Sequence, residues 1–415
     1  MKRPDLQLLI IGGGVQGTFL SHAIQQWTGL SRNAIRVLDP HGEPLANWHA
    51  QTASCGMKYL RSPSSHNMDV DFRALRRWAR SQPESAQFKF LEPYTRPSLP
   101  LFNSHARTVI EEHSLTELRV CGRATRISLN PHGAEVTCTD GKNTFALSSR
   151  LVLLALSRTE MLRYPEWAPP LIAQGAPVRH IFAAPSGAEL AKGKVSGKIV
   201  VLGGGITSAQ VALSVHEKSG SVVTLVCDDE PRVRMFDSNP GYIGPKYLPS
   251  FRAIGNYEAR RAVLKRERYP GSMPPYVHAE LDAAIGEGRI ERIIGRVHEA
   301  SCTEGCVRLM VQESASADRA GGTVTKVIEA ASVYLATGFR TERPGGTLVD
   351  DLIEEYGLPV AQCGYPITER DLFWGSGIYT AGALAELELG PASLNIIGAH
   401  SAGRLISRTL RSRLG

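Results

Sequence analysis

Two copies of one short pattern constrain this chain more than any other feature of its sequence. Residues 8–17 read LLIIGGGVQG and residues 200–209 read VVLGGGITSA. Each copy is a run of apolar, strand-forming residues that ends in three glycines and leads into a helical segment. This is the G-x-G-x-x-G pattern of a dinucleotide-binding βαβ unit, or its variant with a small residue at the third position. Two such matches predict that one chain binds two nucleotides.

The spacing gives each glycine of the pattern a separate role. In the first copy Gly12 allows the tight turn, Gly14 lets the backbone approach a pyrophosphate, and Gly17 lets the helix pack on its strand. The same places in the second copy are held by Gly203, Gly205 and Ser208. In both copies the helix N-terminus is expected to bind phosphate through free N–H groups and the positive end of the helix dipole.

An acidic residue ends the second predicted strand, IRVLD at residues 35–39. In this fold a carboxylate at that place holds the 2′-hydroxyl of a ribose. We therefore predict that Asp39 binds the ribose of the first nucleotide. The alternative is an ordinary turn residue at a strand end.

Composition argues against several classes of protein. The 415 residues, 42% hydrophobic, suffice for two domains or three, and the net charge of +7 lacks the aromatic or zinc-finger pattern of nucleic-acid binders. The seven cysteines show no zinc-ligand spacing, so we predict no metal site and reduced thiols in a cytoplasmic protein. No apolar run is long enough for a signal peptide core or a membrane span, so we expect a soluble protein with no membrane contact.

The segments around the two motifs predict a chain of alternating helices and strands. In chain order we expect a helical excursion at 41–105, an antiparallel piece at 118–129, 133–139 and 143–148, and a separate buried strand at 151–157. A connector rich in Pro, Gly and Ala follows at 160–196, and the second unit begins at 198. After it we expect a basic helical insertion at 230–288, two sheet-like segments, the run VYLATGFR at 333–340 and a terminal helix.

Three further places carry a family resemblance. Ala336-Thr337-Gly338-Phe339 matches an A-T-G-Y/F element that returns the chain to a first, FAD-binding domain. Trp48-His49 followed by Gly56-Met57 is similar to a W-H-x-G-M segment that lines the flavin, with extra residues between its halves. Residues 394–406 resemble a closing strand and helix. Together with the paired glycine motifs, these places resemble flavoproteins with two dinucleotide-binding domains, and especially the ornithine and lysine N-hydroxylases.

The resemblance covers nearly the whole chain and implies FAD in the first site and NAD(P)H in the second. It implies an α/β fold of two Rossmann-like domains, with an NAD(P)H domain at 195–335 inserted in an FAD domain split into 1–165 and 336–415. FAD contacts are then expected at Gly12, Gly14, Gly17, Asp39, Trp48, His49, Met57, Gly382 and Pro391. NAD(P)H contacts are expected at Gly203, Gly205, Ser208, Arg232, Arg234, Thr337 and Gly338.

Lys58 and Arg61 lie in the polar segment GMKYLRSPSSH, shortly after the tryptophan and histidine. They could line the substrate side of the flavin and anchor a carboxylate. The alternative is a plain polar loop.

The segment IYTAGALAELELGP, residues 378–391, looks like the flavin-closing motif of the wider group. In that group an aspartate usually follows A-G and bonds the ribityl chain. Here Ala383 stands at that place, so the bond would come from elsewhere or be absent. A helix predicted after Gly390-Pro391 could point its N-terminus at the flavin C2 carbonyl, or it could be a simple proline-initiated helix.

Acidic and basic residues compete where the second unit's second strand ends. Asp228 and Asp229 would suit the ribose diol of NADH, whereas Arg232 and Arg234 would bind the 2′-phosphate of NADPH. The insertion adds further cations, at Arg260, Arg261, Lys265 and Arg266. We predict NADPH as the donor, with NADH as the alternative; each cation could equally be an exposed charge.

The first domain has only the isolated cysteines Cys55, Cys121 and Cys138, which disfavours a disulfide reductase. In the enzymes that this chain resembles, oxygen adds to the reduced flavin and is transferred to an amine or sulfur, a scheme that needs few catalytic side chains. We therefore predict an FAD-dependent NAD(P)H oxidoreductase, a monooxygenase that hydroxylates an amine-bearing small molecule, with no individual catalytic residue assigned.

The alternatives are a flavin reductase that passes electrons to a non-oxygen acceptor and a nucleotide-binding regulatory protein without catalysis. A homo-oligomer is compatible with all three.

Overall fold

The structure, a computed structural model, describes residues 5–83, 87–183, 197–313 and 324–414. The α-helices of these ranges are α1 (Val15–Thr28), α2 (Ala46–Cys55), α3 (Ala74–Ser81), α4 (Leu99–Glu112), α5 (Ala168–Ala173), α6 (Ile206–Ser219), α7 (Leu248–Ala253), α8 (Tyr257–Glu267), α9 (Pro275–Gly286), α10 (Gly346–Tyr356), α11 (Glu386–Leu389) and α12 (Ile396–Leu414). Short 3-10 helices lie at Arg32–Ala34, Leu115–Leu118, Pro240–Tyr242, Gly382–Ala385 and Pro391–Leu394.

The strands of the same ranges belong to two large sheets and two small pairs. They are β1 (Leu6–Ile11), β2 (Ile35–Asp39), β3 (Phe90–Leu91), β4 (Arg96–Pro97), β5 (Arg119–Cys121), β6 (Arg123–Asn130), β7 (Gly133–Thr139), β8 (Thr144–Leu154), β9 (Val178–His180), β10 (Ile199–Leu202), β11 (Val223–Cys227), β12 (Arg232–Val233), β13 (Ser272–Met273), β14 (Ile290–Thr303), β15 (Cys306–Glu313), β16 (Thr325–Ala330), β17 (Ser332–Leu335), β18 (Phe373–Gly375) and β19 (Ile378–Thr380).

The first sheet is built around β1, which pairs in parallel with β2 on one side and with β8 on the other. Its strand order is β18-β19-β8-β1-β2-β5, with β6 and β7 joined to it through β8. Parallel strands covered on both faces are apolar along their length, as the run LQLLII of β1 is. One face packs on α1 and α12 through a core that includes Phe19 and Ile406, and the other face packs against Val349 of α10.

The second sheet repeats this arrangement around β10, which pairs in parallel with β11 and β17. Its strand order is β16-β15-β14-β11-β10-β17-β9. The helices α6 and α9 pack on one face, where Val211 and Leu281 share a core cluster with strand residues. The protein therefore has the predicted α/β fold, with each glycine motif between a central parallel strand and its helix.

Three sequence predictions about strands were wrong. Residues 143–148 and 151–157 are not separate strands, because β8 runs without interruption and is antiparallel to β7 in its first half and parallel to β1 in its second half. The described part of the predicted connector, 160–183, contains α5 and the strand β9, which pairs with β17 at the edge of the second sheet. The rest of it, 184–196, lies outside the described residues. Three strands, β14 to β16, replace the two predicted sheet-like segments.

The chain leaves the first sheet after β8 and returns to it through β18 and β19. Because β19 lies parallel beside β8, the C-terminal part of the chain completes the first sheet after the second sheet has been built. The domain boundaries at 165, 195 and 335 stay predictions. In the described parts of the chain, we find no helix with the length and apolar character needed to cross a membrane.

Several histidines are buried in the first core, and their burial has a consequence for stability. His22, His66 and His105 are each 8% exposed or less. Burial lowers the pKa of each to about 4, because the cation would lose its hydration; His113 lowers that of His22 further, and His400 that of His66. These histidines are therefore neutral in the folded protein at pH 7.

We expect the free energy of unfolding to fall as the pH drops below 6.5. An unfolded histidine takes up a proton near pH 6.5, whereas the folded ones take it up only near pH 4. Their contribution to the free energy of unfolding is therefore fully present above pH 6.5 and is lost as the pH falls toward 4. The loss should be about 1–2 kcal/mol per buried histidine at pH 5. Urea unfolding at pH 7.5 and pH 5 measures it.

His22→Leu should weaken this pH dependence, whereas the same comparison with the exposed His132→Gln should leave it unchanged. An equal pH dependence in His22→Leu and in the parent protein would contradict the expectation.

Candidate functional site

The first glycine loop leaves the N-terminus of α1 open. Gly12 has φ +102°, and a Cβ there would lie 2.6 Å from the carbonyl oxygen of Ala155 at the end of β8. A Cβ on Gly17 would lie 1.8 Å from the carbonyl oxygen of Gly12, so the helix approaches its own loop closely. Gly14 is the N-cap of α1, no side chain caps it, and no atom lies within 4 Å of the place of its Cβ. The loop fits the pyrophosphate of a dinucleotide, because space and unoccupied helix N–H groups coincide there.

The acidic residue at the end of β2 is tied to this loop. Asp39 accepts hydrogen bonds from the backbone N–H of Gly13 at 2.6 Å and of His41 at 2.9 Å. Arg119, the first residue of β5, lies 3.7 Å from the same carboxylate and donates to the carbonyl of Gly13 at 3.0 Å. Burial lowers the pKa of Arg119, while Asp39 and Glu43 counter this effect. The ribose role of Asp39 stays a prediction.

Arg119 was missed by sequence reasoning. A Cβ on Gly13 would lie 1.6 Å from its guanidinium, so the middle glycine of the first motif makes room for this side chain. The dinucleotide pattern itself does not require a glycine at that place. The third consecutive glycine was the available signal, but the partner came from a strand more than a hundred residues away.

The second glycine loop repeats the geometry of the first. Gly203 has φ +142°, and a Cβ there would lie 2.5 Å from the carbonyl oxygen of Ala336, after β17. Gly205 is the N-cap of α6 without a side-chain cap. Ser208 replaces the third glycine; it is 1% exposed and its hydroxyl donates to the carbonyl of Gly205 at 2.7 Å. This second helix N-terminus fits a second phosphate group by the same physical argument.

Charges of both signs lie beside the second loop. Asp228 pairs with Arg296 at 3.4 Å, and Glu230 pairs with Arg292 at 3.4 Å, both across to β14. Arg232 and Arg234 in and after β12 are exposed. The guanidinium of Arg234 lies 5.5 Å from the ring centre of Tyr269. Of the three consecutive acids Asp228, Asp229 and Glu230, the first and the last therefore have arginine partners.

Thr337 and Gly338 lie where the two connections between the sheets run side by side. The carbonyl of Gly338 accepts from the backbone N–H of Arg163 at 3.0 Å, and the hydroxyl of Thr337 donates to the carbonyl of Arg163. A ring nitrogen of His180 lies 3.1 Å from the same Gly338 carbonyl. Burial lowers the pKa of His180 to about 4, so its ring is neutral at pH 7. Its contact with Gly338 helps to hold the two connections side by side.

The structure separates the residues predicted to line the flavin on α2 and just after it. Trp48 donates through its indole N–H to Asn103 at 2.9 Å and packs against Phe102, both on α4. His49 is exposed, and partial burial together with Arg107 lowers its pKa. Met57 packs against core clusters of both sheets. Trp48 therefore faces α4, whereas Met57 lies where the two halves of the molecule meet.

Lys58 and Arg61 both have protein partners in the second half of the molecule. Lys58 pairs with Glu217 of α6 at 2.9 Å and with Glu280 of α9 at 2.6 Å. Arg61 donates to the backbone carbonyls of Arg234, Met235, Phe236 and Ser272 and to the hydroxyl of Ser272. We name these two side chains the interdomain latch. Their role as substrate anchors stays a prediction.

Residues 378–395, which we call the closing segment, contact the first glycine loop. Gly382 has φ +59°, and the side chain of Gln16 on α1 packs over it. The amide of Gln16 donates to the carbonyls of Ser393 at 3.2 Å and Asn395 at 2.9 Å. Gln16 was not predicted, because it occupies a variable position of the motif.

The helix predicted to begin after Gly390-Pro391 begins later than expected. Pro391–Leu394 forms a short 3-10 helix, Asn395 is extended at φ −89° and ψ 169°, and the long helix α12 starts at Ile396. This turn packs closely on the first residues of α12, because a Cβ on Gly398 would lie 2.3 Å from the carbonyl oxygen of Ser393. Pro391 therefore begins a single 3-10 turn and not the long helix.

The insertion contacts the closing segment through buried ion pairs. Glu386 is 0% exposed and pairs with Arg261, with Arg268 at 2.6 Å and with Arg158 at 3.3 Å. Arg260 pairs with Glu388 at 3.1 Å. The structure thus directs Arg260 and Arg261 to carboxylates of the closing segment, and not to the phosphate of a nicotinamide nucleotide as the sequence suggested.

Comparison with known proteins gives one family match and several structural matches. Residues 9–159 match the model of a protein family described as FAD-NAD(P)-binding. This region holds the first glycine loop, Asp39 and Arg119. No curated protein matches the chain.

Solved structures show the same fold over the full length of the chain. An ornithine N-hydroxylase of Kutzneria sp. 744 aligns with a TM-score of 0.74 at 14% identity, covering 100% of both chains. An ornithine hydroxylase of Pseudomonas aeruginosa aligns with a TM-score of 0.75 at 16% identity, covering 99% of this chain and 100% of the other. An L-lysine 6-monooxygenase of Pseudomonas syringae gives a TM-score of 0.70 at 16% identity, again covering 99% and 100%. The chain has the fold of these enzymes.

We expect Gly17→Ala to cost far more stability than Ser208→Ala. The alanine methyl would meet the backbone of Gly12, which cannot move without opening the loop, and overpacking of this kind costs about 1–3 kcal/mol or more. Ser208→Ala removes one hydrogen bond inside a site that already accepts a Cβ, which costs about 1 kcal/mol. Thermal or urea unfolding of both variants makes the comparison, and equal losses would contradict it.

Removal of the interdomain latch should loosen the two halves of the molecule. Arg61→Ala leaves four backbone carbonyls without their charged donor, at a cost of about 2 kcal/mol or more. Hydrogen–deuterium exchange should rise at residues 232–236 and 272–273, with the centre of each sheet unchanged. Arg126→Ala, which removes an exposed pair with Glu355, is the matched control. Unchanged exchange at both segments would argue against a latch.

Proposed function

We propose that this chain is an FAD-dependent NAD(P)H oxidoreductase, and specifically a monooxygenase that hydroxylates an amine-bearing small molecule. One observation carries the proposal: two uncapped helix N-termini, each at a glycine turn, occupy equivalent places in two sheets. The fold that holds them matches ornithine and lysine hydroxylases from end to end.

The residues present fit FAD at the first loop. The N-terminus of α1 would hold the pyrophosphate, and Asp39 would hold the adenosine ribose from the end of β2. Trp48, His49 and Met57, with Gly382 and Pro391 of the closing segment, are proposed to line the flavin half. Bound FAD would accept a hydride from the nicotinamide and activate oxygen, while the protein supplies binding, orientation and exclusion of water.

The second loop fits the nicotinamide nucleotide. Gly203, Gly205 and Ser208 would hold its pyrophosphate, and Thr337 and Gly338 lie beside the connections through which the nicotinamide half would reach the flavin. We propose NADPH as the donor, because Asp228 and Glu230 are already paired with arginines while Arg232 and Arg234 remain exposed. NADH is the alternative outcome of the test.

The thiol chemistry of a disulfide reductase has no support in the structure. All seven cysteines are free, and burial raises the pKa of Cys55 to about 11 and that of Cys227 to about 12. Such thiols stay protonated at pH 7 and are poor nucleophiles. Free thiols throughout the chain also support the proposed cytoplasmic location.

In the proposed monooxygenase, the interdomain latch would hold the two nucleotide sites at a constant distance. Lys58 and Arg61 hold the segment after α2 against α6, α9 and the β12–β13 pair. Tyr276 adds a hydrogen bond to the carbonyl of Tyr59 at 3.3 Å. These contacts would keep the two nucleotide sites in a constant relation while oxygen and substrate react.

An absorbance spectrum followed by turnover assays tests the proposal. Purified protein supplied with FAD should become yellow and should be reduced anaerobically by NADPH faster than by NADH. With oxygen present, an amine such as L-ornithine, L-lysine or a diamine should stimulate NADPH oxidation. The product should carry one atom from labelled oxygen on its amine nitrogen.

Three other outcomes would point elsewhere. NADPH oxidation that no amine affects, with all electrons recovered as peroxide, would contradict the monooxygenase. Equal rates with an artificial acceptor in the absence of oxygen would favour a flavin reductase. A colourless protein that cannot be reconstituted with FAD would favour the regulatory protein without catalysis.

A further inference from the structure

A buried carboxylate in the closing segment is surrounded by more positive charge than it can neutralise. Glu386 of α11 is 0% exposed and accepts from three guanidinium groups, those of Arg158, Arg261 and Arg268. The side chains of the three arginines are between 12% and 18% exposed. We call these four residues the Glu386 cluster. Three cations and one anion leave two positive charges in a poorly hydrated place, where charge normally has a partner.

The neighbouring groups reduce this excess without removing it: the carboxylate of Asp237 favours the charged form of Arg268 and offsets one of the two charges. Glu388, two residues further on, pairs with its own arginines, Arg252 at 3.0 Å and Arg260 at 3.1 Å. Tyr365 receives a hydrogen bond from Arg158 but carries no charge to offset it. Burial, and after it the charges of Arg158 and Arg261, lowers the pKa of Arg268 to about 10, so this arginine is still protonated at pH 7.

Strand order places the Glu386 cluster at one end of the first nucleotide site. Along the sheet the order is β19-β8-β1-β2, with the open helix N-terminus after β1 and Asp39 as the last residue of β2. If the adenosine half lies toward β2, the other half of a dinucleotide extends past the ends of β8 and β19. Arg158 lies four residues after β8, and Glu386 lies six residues after β19. The cluster is therefore on the side of the flavin half.

Arg268 links the cluster to the turn at residues 391–395, which we call the closing turn. Its guanidinium donates to the carbonyl of Pro391 at 3.0 Å and to the hydroxyl of Ser393 at 3.1 Å, besides its bond to Glu386. Gln16 holds the same turn from the side of the first glycine loop. One side chain of the insertion thus braces the closing turn and brings a buried positive charge to it.

We propose that the Glu386 cluster raises the reduction potential of the bound flavin, with Arg268 as the positioning residue that couples the cluster to the flavin through the closing turn. This inference rests on the proposed binding of FAD at the first site. A hydride delivered from the nicotinamide would bring two electrons and one proton to bound FAD, and the flavin ring would gain one negative charge. An excess of buried positive charge stabilises that negative charge and so favours the reduced form.

Charge variants of the cluster test the proposal, because they should shift the potential in opposite directions. Arg268→Gln removes a positive charge and should lower the midpoint potential of bound FAD by 30 mV or more, about a tenfold change for a two-electron couple. Arg268→Lys keeps the charge and should retain most of the potential. Glu386→Gln removes the negative charge and should raise the potential. The matched control Arg126→Gln removes an equal charge on the exposed surface and should leave it unchanged.

The measurement is an anaerobic redox titration of each FAD-loaded protein against a reference dye, with FAD affinity determined separately by fluorescence. Potentials of Arg268→Gln and Glu386→Gln that move in the same direction, or that match the Arg126→Gln control, would overturn the inference. A purely structural role of Arg268 would weaken FAD affinity in Arg268→Gln and Arg268→Lys alike.

The parent protein provides a readout that needs no variant. At a pH low enough to protonate free reduced FAD, the reduced flavin bound to the parent protein should still show the spectrum of the anion. A neutral reduced flavin there would overturn the inference while FAD binding, and with it the proposed function, still stood. Failure of the parent protein to bind FAD at all would overturn the proposed function and this inference together.

Discussion

The close approach of a helix to the glycine turn before it is the constraint on which both halves of this molecule depend. In the first half the N–H of Gly12 donates to Leu38, and that of Ala155 donates to Ile11. In the second half Gly203 and Ala336 make the same two bonds to Val226 and Leu202. A positive φ at the first glycine turns the chain directly from a buried strand into a helix, so the helix N-terminus opens at the carboxyl edge of the sheet.

Buried charge connects the two halves and gives the insertion its role. Arg61 places one guanidinium among four carbonyls of the second half, and Glu386 gathers three guanidinium groups from segments far apart in the chain. Removing such groups from water is costly, and the cost is met only when geometry supplies several partners at once. These contacts fix where the insertion lies: Arg61 holds it to the segment after α2, and Glu386 holds it to the closing segment.

Local pattern was sufficient to predict the repeated core. The strands β1, β2, β10 and β11 and the helices α1 and α6 are visible as apolar runs, glycine turns and helical periodicity, because each interaction lies within about 30 residues. The prediction failed where tertiary context changed the pattern. The strand β8 has two neighbours of opposite direction and therefore reads as two strands, and β9 is too short to show a pattern before β17 pairs with it.

The sequence by itself determined that two strand–glycine turn–helix units exist and which glycines form their turns, because a glycine's backbone freedom is a property of the residue. Only the tertiary structure decided the partners of the charged side chains. Arg119 lies on Gly13, Lys58 and Arg61 form an interdomain latch, and Arg261 pairs with Glu386. A charge interacts with whatever the fold brings within a few ångströms, and residues more than a hundred positions apart carry no sign of that proximity in the sequence.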